Sequence, residues 1–189
     1  MGPTVAIFGG SFNPPHVAHV QAIEWVLVHG EVGGVDKVLV VPTFVHPFSK
    51  QLAPYDDRVA MCELAFGDVP RTEVSRVEEE LGGESRTLRT LEHLATLHPE
   101  WRLRLVMGAD LLLEANKWFR FDKIQELAPP LLLGRVGFEV EQAPRPVVPG
   151  VSSTDIRAKV AAGQWSEVGP LVPTKVLEYL RSHPLYPST

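Results

Sequence analysis

The sequence has only one cysteine, Cys62, among its 189 residues. It can therefore form neither an intramolecular disulfide nor a cysteine-based zinc site, and the apolar neighbours of Cys62 predict a buried, inert thiol. Positive charge is also scarce, since 18 Lys and Arg residues stand against 23 Asp and Glu, a net charge of −5. This balance lacks the basic footprint of a nucleic-acid-binding protein, so no nucleic-acid partner is expected.

Long apolar runs are missing as well. None approaches the roughly 18 residues of a membrane span, and the first residues lack the charged start of a signal peptide. We therefore expect a soluble, cytoplasmic protein without a membrane partner. Hydrophobic residues make up 44% and charged residues 22% of the chain, as in ordinary globular domains. The length favours one domain over residues 1–189, with residues 151–189 as its C-terminal helical part.

Short apolar runs alternate with segments of helical period along the chain. This alternation predicts an α/β fold with a mainly parallel sheet, whose ligands bind beyond the carboxyl ends of the strands. The predicted strands cover residues 5–8, 37–41, 72–77, 102–107 and 131–133, with room for another near 147–148. The predicted helices cover residues 18–28, 56–66, 87–97, 153–162 and 174–182, with one or two more within 109–127.

The first reactive cluster, GGSFNPPHVAH at residues 9–19, follows the first predicted strand. Gly9 and Gly10 allow the backbone to turn sharply and to approach a ligand closely. A proline suits the first turn of a helix, so Asn13 is the expected N-cap. His16 and His19 would then share one face of that turn, where free N–H groups and the helix dipole attract anions.

This cluster also has interpretations that involve no phosphate site. It could be an ordinary proline-started helix with two surface histidines, and a zinc site would need a third ligand that is not evident. The common nucleotide fingerprints, G-x-G-x-x-G and G-x-x-x-x-G-K-[ST], are both missing. The complete string of residues favours a phosphate site in which imidazoles donate hydrogen bonds as negative charge develops.

Two further clusters lie later in the chain. SSTDIR at residues 152–157 fits a capping box that merely starts a helix, yet it also offers hydroxyls, N–H groups and a guanidinium to a phosphate. Asp110 follows a predicted strand, where a carboxylate can accept hydrogen bonds from ribose hydroxyls. Trp118 is either a core residue or a ring that stacks on an aromatic substrate.

Taken together, these motifs resemble a known enzyme family. GGSFNPPHVAH resembles the GGxFNPxHxGH motif of the HIGH-type nucleotidyltransferases, and VSSTDIR resembles their second motif, ISSTxIR. GADLLLEANKWFRFDKIQEL is similar to the G-x-D-x-L, W and L stretch of the nicotinate-nucleotide adenylyltransferases, and LVPTKVLEYL to their closing LxPxxVxxYI. The resemblance spans nearly the whole chain in the right order.

The resemblance implies a Rossmann-like fold and an enzyme of NAD biosynthesis. Such an enzyme joins ATP and nicotinate mononucleotide into nicotinate adenine dinucleotide and pyrophosphate, with Mg²⁺ carried in on ATP and no dedicated metal site. The implied catalytic residues are His16, His19 and Arg157. The implied ATP-binding residues are Gly9, Gly10, Ser11, Phe12, Ser153, Thr154 and Arg135. The implied mononucleotide-binding residues are Asp110, Trp118, Thr87, Lys50 and His46.

The sequence departs from the family pattern at several positions. Ala18 replaces the glycine of HxGH, which we expect to be tolerated, and Val136 replaces a proline beside Arg135. Arg86 and Arg89 replace a tyrosine and an aspartate of the family beside the implied pyridine pocket, which favours an acid over an amide mononucleotide. Residues 42–55 differ from the usual loop, and their prolines suit a closing lid.

Alternatives remain at this point. Enzymes that transfer the adenylyl group to nicotinamide mononucleotide or to phosphopantetheine share the first two motifs, and so do cytidylyltransferases. A non-catalytic nucleotide sensor would keep the fold and lose turnover. The sequence leaves open whether the chain forms a homo-oligomer.

Overall fold

The computed structural model describes residues 2–30, 34–47, 51–109, 118–134 and 148–187. All pairings between its named strands are parallel, in the order β3-β2-β1-β4-β5, which confirms the predicted parallel sheet flanked by helices. The strands are β1 (Thr4–Gly10), β2 (Lys37–Pro42), β3 (Thr72–Val74), β4 (Arg102–Gly108) and β5 (Pro130–Leu133).

Helices connect and cover these strands. They are α1 (Val17–His29), α2 (Tyr55–Phe66), α3 (Val77–Leu81), α4 (Thr87–Leu97), α5 (Phe121–Leu127), α6 (Ser153–Ala161), α7 (Trp165–Val168) and α8 (Thr174–Ser182), with a 3₁₀ turn at Gly169–Leu171. Within the described ranges, none of the helices is long and apolar enough to cross a membrane.

Each face of the sheet is buried under its own set of helices. Alternate strand residues point to opposite faces, as the pleat requires. One face, with Ala6 and Val106, packs against α1, α2, α6 and α8, and we call this the first core cluster. The other face, with Ile7, Leu39 and Leu105, packs against α4 and α5 and forms the second core cluster. Burial on both faces explains why the strands read as continuous apolar runs.

Two local predictions are wrong, and one short helix was not predicted. The strand predicted at 72–77 ends at Val74, and the Glu-rich segment that follows forms α3. Asn13 is not the N-cap of α1, because both prolines stay in the preceding loop and His16 takes the cap position. The short helix α7 was not predicted, since its four residues are too few to show a helical period.

The strand order indicates that the site lies at the edge of the sheet formed by the carboxyl ends of the strands. β1 lies at the centre, with β2 on one side and β4 on the other. The connections after β1 and β4 therefore diverge, and such a switch point leaves a crevice at the carboxyl ends of the strands. We call residues 11–16, between β1 and α1, the first loop, and residues 43–54, between β2 and α2, the second loop.

Candidate functional site

The first loop turns around a buried aromatic ring. Phe12 has a positive φ of 43° and is 2% exposed. Its ring meets those of His19 and Phe66 edge-on, with centroids 5.0 and 5.8 Å away. The Phe12 side chain thus faces the core, where it packs against His19, and is not exposed to a ligand.

The two histidines of the first motif lie against each other. The rings of His16 and His19 stack with centroids 3.6 Å apart. The backbone N–H of His16 donates to Nδ1 of His19 at 3.1 Å. An accepting Nδ1 carries no proton, so the neutral His19 ring holds its proton on Nε2 and presents a donor there. This tautomer suits an imidazole that donates to a phosphate oxygen.

Two side chains of the second motif are tied directly to the first loop. Ser153 Oγ donates to the carbonyl of Pro14 at 2.9 Å, across 139 residues of sequence. Arg157 Nη1 donates to the carbonyl of Asn13 at 2.8 Å. The structure therefore brings the two predicted phosphate motifs together. The hydroxyl of Ser153 contributes to this contact by its hydrogen bond to the first loop.

The N-terminus of α6 lies beside the first loop as a result. Ser152 caps this helix by accepting from the N–H of Thr154 at 3.2 Å, as the capping pattern predicts. The exposed Thr154 hydroxyl accepts from Arg157 Nη2 at 3.2 Å. The Arg157 guanidinium has more N–H donors than these bonds use, so it can still bind phosphate oxygens beside the positive end of the helix dipole.

A buried arginine that the sequence analysis missed joins the two loops. Arg58 is 1% exposed, and burial lowers its pKa. Its Nε donates to the carbonyl of Ala53 and its Nη1 to the carbonyl of Ser11, both at 3.0 Å. The sequence contained a sign of this burial. Arg58 lies three and four residues before the apolar Met61 and Cys62, on the same buried face of α2, where a solvated arginine is not expected.

The start of the second loop is held by polar side chains near α4. The N–H of Phe44 donates to Ser85 Oγ at 2.9 Å and to Glu78 Oε2 at 3.0 Å. The N–H of Val45 also reaches Ser85 Oγ, at 3.2 Å. Thr87, the first residue of α4, lies two residues after Ser85 and is half-buried. The second loop is thus anchored at its start by Ser85 and at its end by Arg58.

A cavity of about 380 Å³ lies under the second loop, and His46 is part of its wall. Tyr55 also lines this cavity, and its hydroxyl is buried without a hydrogen-bond partner among the described residues. Burial, and secondarily the charge of Glu79, raises the pKa of Tyr55 to about 12. The phenol therefore keeps its proton at neutral pH and well above it.

The remaining predicted residues fall into two groups. Trp118 is half-buried and meets Phe121 edge-on at 6.1 Å, packed against the second core cluster. The Ala18 methyl is buried in the first core cluster, which explains why the family glycine is not needed there. The other group lies outside the described residues: Asp110, Lys50, Arg135 and Val136.

The two arginines that depart from the family pattern take different positions. Arg86 pairs with Glu84 at 3.0 Å and lies over the ring of Phe119, 5.7 Å from its centroid. Arg89 turns back to the end of α3, where it donates to the carbonyls of Leu81 and Gly82 at 2.7 and 2.6 Å. Only Arg86 lies beside the Trp118 segment.

No cluster of three or more His, Cys, Asp or Glu side chains able to hold a metal ion occurs within the described part of the chain. The polar groups of the candidate site are the imidazoles of His16 and His19, the guanidinium of Arg157 and the N-terminus of α6.

Comparisons with known proteins agree with this geometry. Residues 7–159 match the cytidylyltransferase-like family. A protein of Anaeromyxobacter dehalogenans named "Probable nicotinate-nucleotide adenylyltransferase" is 46% identical over 188 residues, covering 98% of this chain and 97% of that protein. A protein of the same name from Myxococcus xanthus is 38% identical, covering 96% and 94%.

The fold is also that of a solved structure, the Plasmodium falciparum nicotinic acid mononucleotide adenylyltransferase complexed with NaAD. The two chains superpose with a TM-score of 0.82 at 18% identity, over 97% of each. The fold is therefore Rossmann-like. Because the sequence relatives match over almost their full length, the chain belongs to the nicotinate-nucleotide adenylyltransferase family, within the cytidylyltransferase-like group.

Proposed function

We propose that this chain transfers the adenylyl group of ATP to nicotinate mononucleotide, giving nicotinate adenine dinucleotide and pyrophosphate. The observation that carries the proposal is the pair of bonds from Ser153 and Arg157 to the carbonyls of Pro14 and Asn13. These bonds make one continuous surface from the two phosphate motifs. The names of the sequence relatives support the choice of acceptor.

The reaction is a single in-line displacement at the α-phosphorus of ATP. An oxygen of the mononucleotide phosphate forms the new bond to this phosphorus, and the bond to the bridging oxygen of pyrophosphate breaks. Pyrophosphate leaves with the electron pair. The attacking phosphate is already ionised at neutral pH, so no general base and no covalent enzyme intermediate are needed. The protein accelerates the step by positioning and by stabilising charge.

The described residues supply these two effects. His19 presents an Nε2–H donor, and the stacked His16 ring fixes its orientation. Both imidazoles are assigned to the α-phosphate region, where charge builds up in the transition state. Arg157 and the α6 N-terminus, including Thr154, are assigned to the β- and γ-phosphates of the leaving group. Gly9, Gly10 and Ser11 contribute backbone contacts.

ATP enters as its magnesium complex. Mg²⁺ keeps several waters and binds through phosphate oxygens, which matches a site built from donors and cations. We place the reaction in the cytoplasm, where ATP and Mg²⁺ are plentiful.

The acid form of the mononucleotide is the proposed acceptor. Trp118 is assigned to stack on the pyridine ring, and Asp110 to the ribose of the same substrate. Thr87, Lys50 and His46 are the other proposed contacts. The guanidinium of Arg86 lies over the neighbouring Phe119 and supplies the positive charge that a carboxylate prefers to a carboxamide.

The test is pyrophosphate release from ATP and Mg²⁺ with nicotinate mononucleotide, nicotinamide mononucleotide or phosphopantetheine supplied separately, with mass analysis of the dinucleotide product. We expect fast release with the acid, slower release with the amide and none with phosphopantetheine. Equal rates with acid and amide would contradict the acceptor preference. A folded protein that binds ATP and releases no pyrophosphate with any acceptor would be a nucleotide sensor.

A further inference from the structure

The amide oxygen of Asn13 connects three segments of the chain by hydrogen bonds: the first loop, the second loop and the segment after α8. Asn13 is 3% exposed, and its Oδ1 accepts two hydrogen bonds. One comes from the N–H of Ala53 in the second loop, at 3.1 Å. The other comes from the hydroxyl of Tyr186, at 2.8 Å, across 173 residues of sequence. The C-terminal segment that follows α8 thus reaches into the candidate site.

The main chain of the same residue carries the second phosphate motif. The Asn13 carbonyl accepts from Arg157 Nη1, and the next carbonyl, that of Pro14, accepts from Ser153 Oγ. Two residues further on lies His16. The position of Asn13 therefore sets the positions of an imidazole and of the α6 N-terminus relative to each other.

Tyr186 is well placed to hold Asn13. Its ring is half-buried and packs against the first core cluster. Burial raises the pKa of Tyr186, so its hydroxyl keeps the proton that it donates. A buried amide oxygen with two donors has one favoured orientation, whereas an oxygen with only the Ala53 N–H has more freedom to rotate.

We infer that Tyr186 is a positioning residue for the ATP side of the site and that it acts through Asn13. This inference rests on the proposed function. It assigns Tyr186 no contact with substrate: its hydroxyl holds Asn13, and Asn13 in turn holds the carbonyls to which Arg157 and Ser153 bind.

The test compares two hydroxyl deletions in the C-terminal part of the chain. Tyr186→Phe removes the donor to Asn13. Tyr179→Phe, the matched control, removes a donor to Asp57 at 2.7 Å, which joins α8 to α2 and leaves the hydrogen bonds of Asn13 in place. We expect Tyr186→Phe to raise the KM for ATP about fivefold, as for one lost hydrogen bond, while the KM for the mononucleotide stays the same. Tyr179→Phe should leave both KM values unchanged.

The dependence on Asn13 is tested by double-mutant cycles. In an Asn13→Ala background the further change Tyr186→Phe should have no effect on the KM for ATP, because the acceptor is gone. In an Asn13→Asp background, which keeps an acceptor oxygen, the full effect should return. A merely structural role would instead lower the melting temperature of Tyr186→Phe and leave the KM for ATP unaltered. That result, or equal effects in all three backgrounds, would overturn the inference.

Binding of a non-reacting ATP analogue, measured by calorimetry, separates this inference from the proposed function. If the native protein binds the analogue but has no turnover, the proposed function fails. The inference then still predicts about fivefold weaker binding by Tyr186→Phe than by native protein or Tyr179→Phe. Equal affinities would refute the inference alone.

Discussion

Two adjacent glycines at the end of β1 meet different surroundings. A Cβ on Gly10 would approach Cζ of Phe12 to 3.1 Å, so the buried ring beneath the first loop would have to move. Gly9 is exposed, and no described atom lies within 4 Å of the place a Cβ would take. A side chain at residue 10 would therefore crowd the Phe12 ring, whereas a need for glycine at residue 9 would have to come from a ligand.

This difference predicts opposite outcomes for two alanine substitutions. Gly9→Ala should keep the native melting temperature and raise the KM for ATP about tenfold or more, because the methyl group stands where the nucleotide approaches the backbone. Gly10→Ala should lower the free energy of unfolding by about 1–3 kcal/mol through overpacking against Phe12. Thermal unfolding and initial rates measure both effects. A normal KM for ATP in Gly9→Ala would exclude a close approach of ATP at that residue.

At the scale of single elements, periodicity predicted the long helices and the buried strands well. α4, for example, occupies the predicted residues 87–97, because a strong apolar stripe also packs in the structure. Short elements escaped prediction. Thr72–Val74 and Val77–Leu81 lie close together, and a single strand was predicted over residues 72–77 where the structure has a strand and the start of a helix.

The start of α1 shows why local rules failed in the first loop. Capping preferences put Asn13 at the N-cap, but its side chain has a stronger tertiary use as acceptor for Ala53 and Tyr186. Neither partner is near it in sequence, so no local pattern could reveal the bonds. His16 takes the cap position instead, and its N–H is satisfied by His19.

The first turn of α4 provides a prediction about the choice of substrate. Arg86, beside Phe119, should favour the acid mononucleotide, whereas Arg89 is occupied by the carbonyls that end α3. Arg86→Ala should lower the ratio of kcat/KM for acid over amide about two- to fivefold, the size expected for an exposed ionic contact. Arg89→Ala, the matched control, should leave the ratio unchanged. If Arg86→Ala also leaves it unchanged, the acid preference has another source.

Across the whole molecule, the rule for parallel sheets correctly predicted that the carboxyl ends of the strands lie at one edge of the sheet. The sequence also supplied the two motifs. It could not show that Ser153 and Arg157 are bound to the carbonyls of Pro14 and Asn13, because those contacts depend on how the C-terminal helices pack. Arg58 was missed for the same reason: its acceptors are carbonyls of distant loops.

The titration of the tyrosines reports on the packing of the whole molecule. The chain has three tyrosines, and the pKa of each is raised, mainly by burial. For Tyr55 and Tyr179 the value is about 12. Unfolded tyrosines have a pKa of about 10, so the unfolded chain loses these protons first and stability falls as pH rises from about 10 to about 12.

We therefore expect the folded protein to show almost no tyrosinate absorbance near pH 10 (about the ordinary pKa), and the urea-unfolded protein to be half-titrated there. A spectrophotometric pH titration of both states measures this. Normal titration of one or more tyrosines in the native protein would mean that the C-terminal segment or the second loop is not packed as described.

The proposed function requires that His19 lies in a site for adenylyl transfer. The most direct measurement is pyrophosphate release from ATP and nicotinate mononucleotide by the native protein, His19→Ala and the matched control His29→Ala. His29 ends the same helix, is exposed and stacks on Trp25. We expect native turnover from His29→Ala and a loss of roughly 100-fold or more in kcat from His19→Ala, as for a lost transition-state donor. Equal turnover by all three folded proteins would contradict the account.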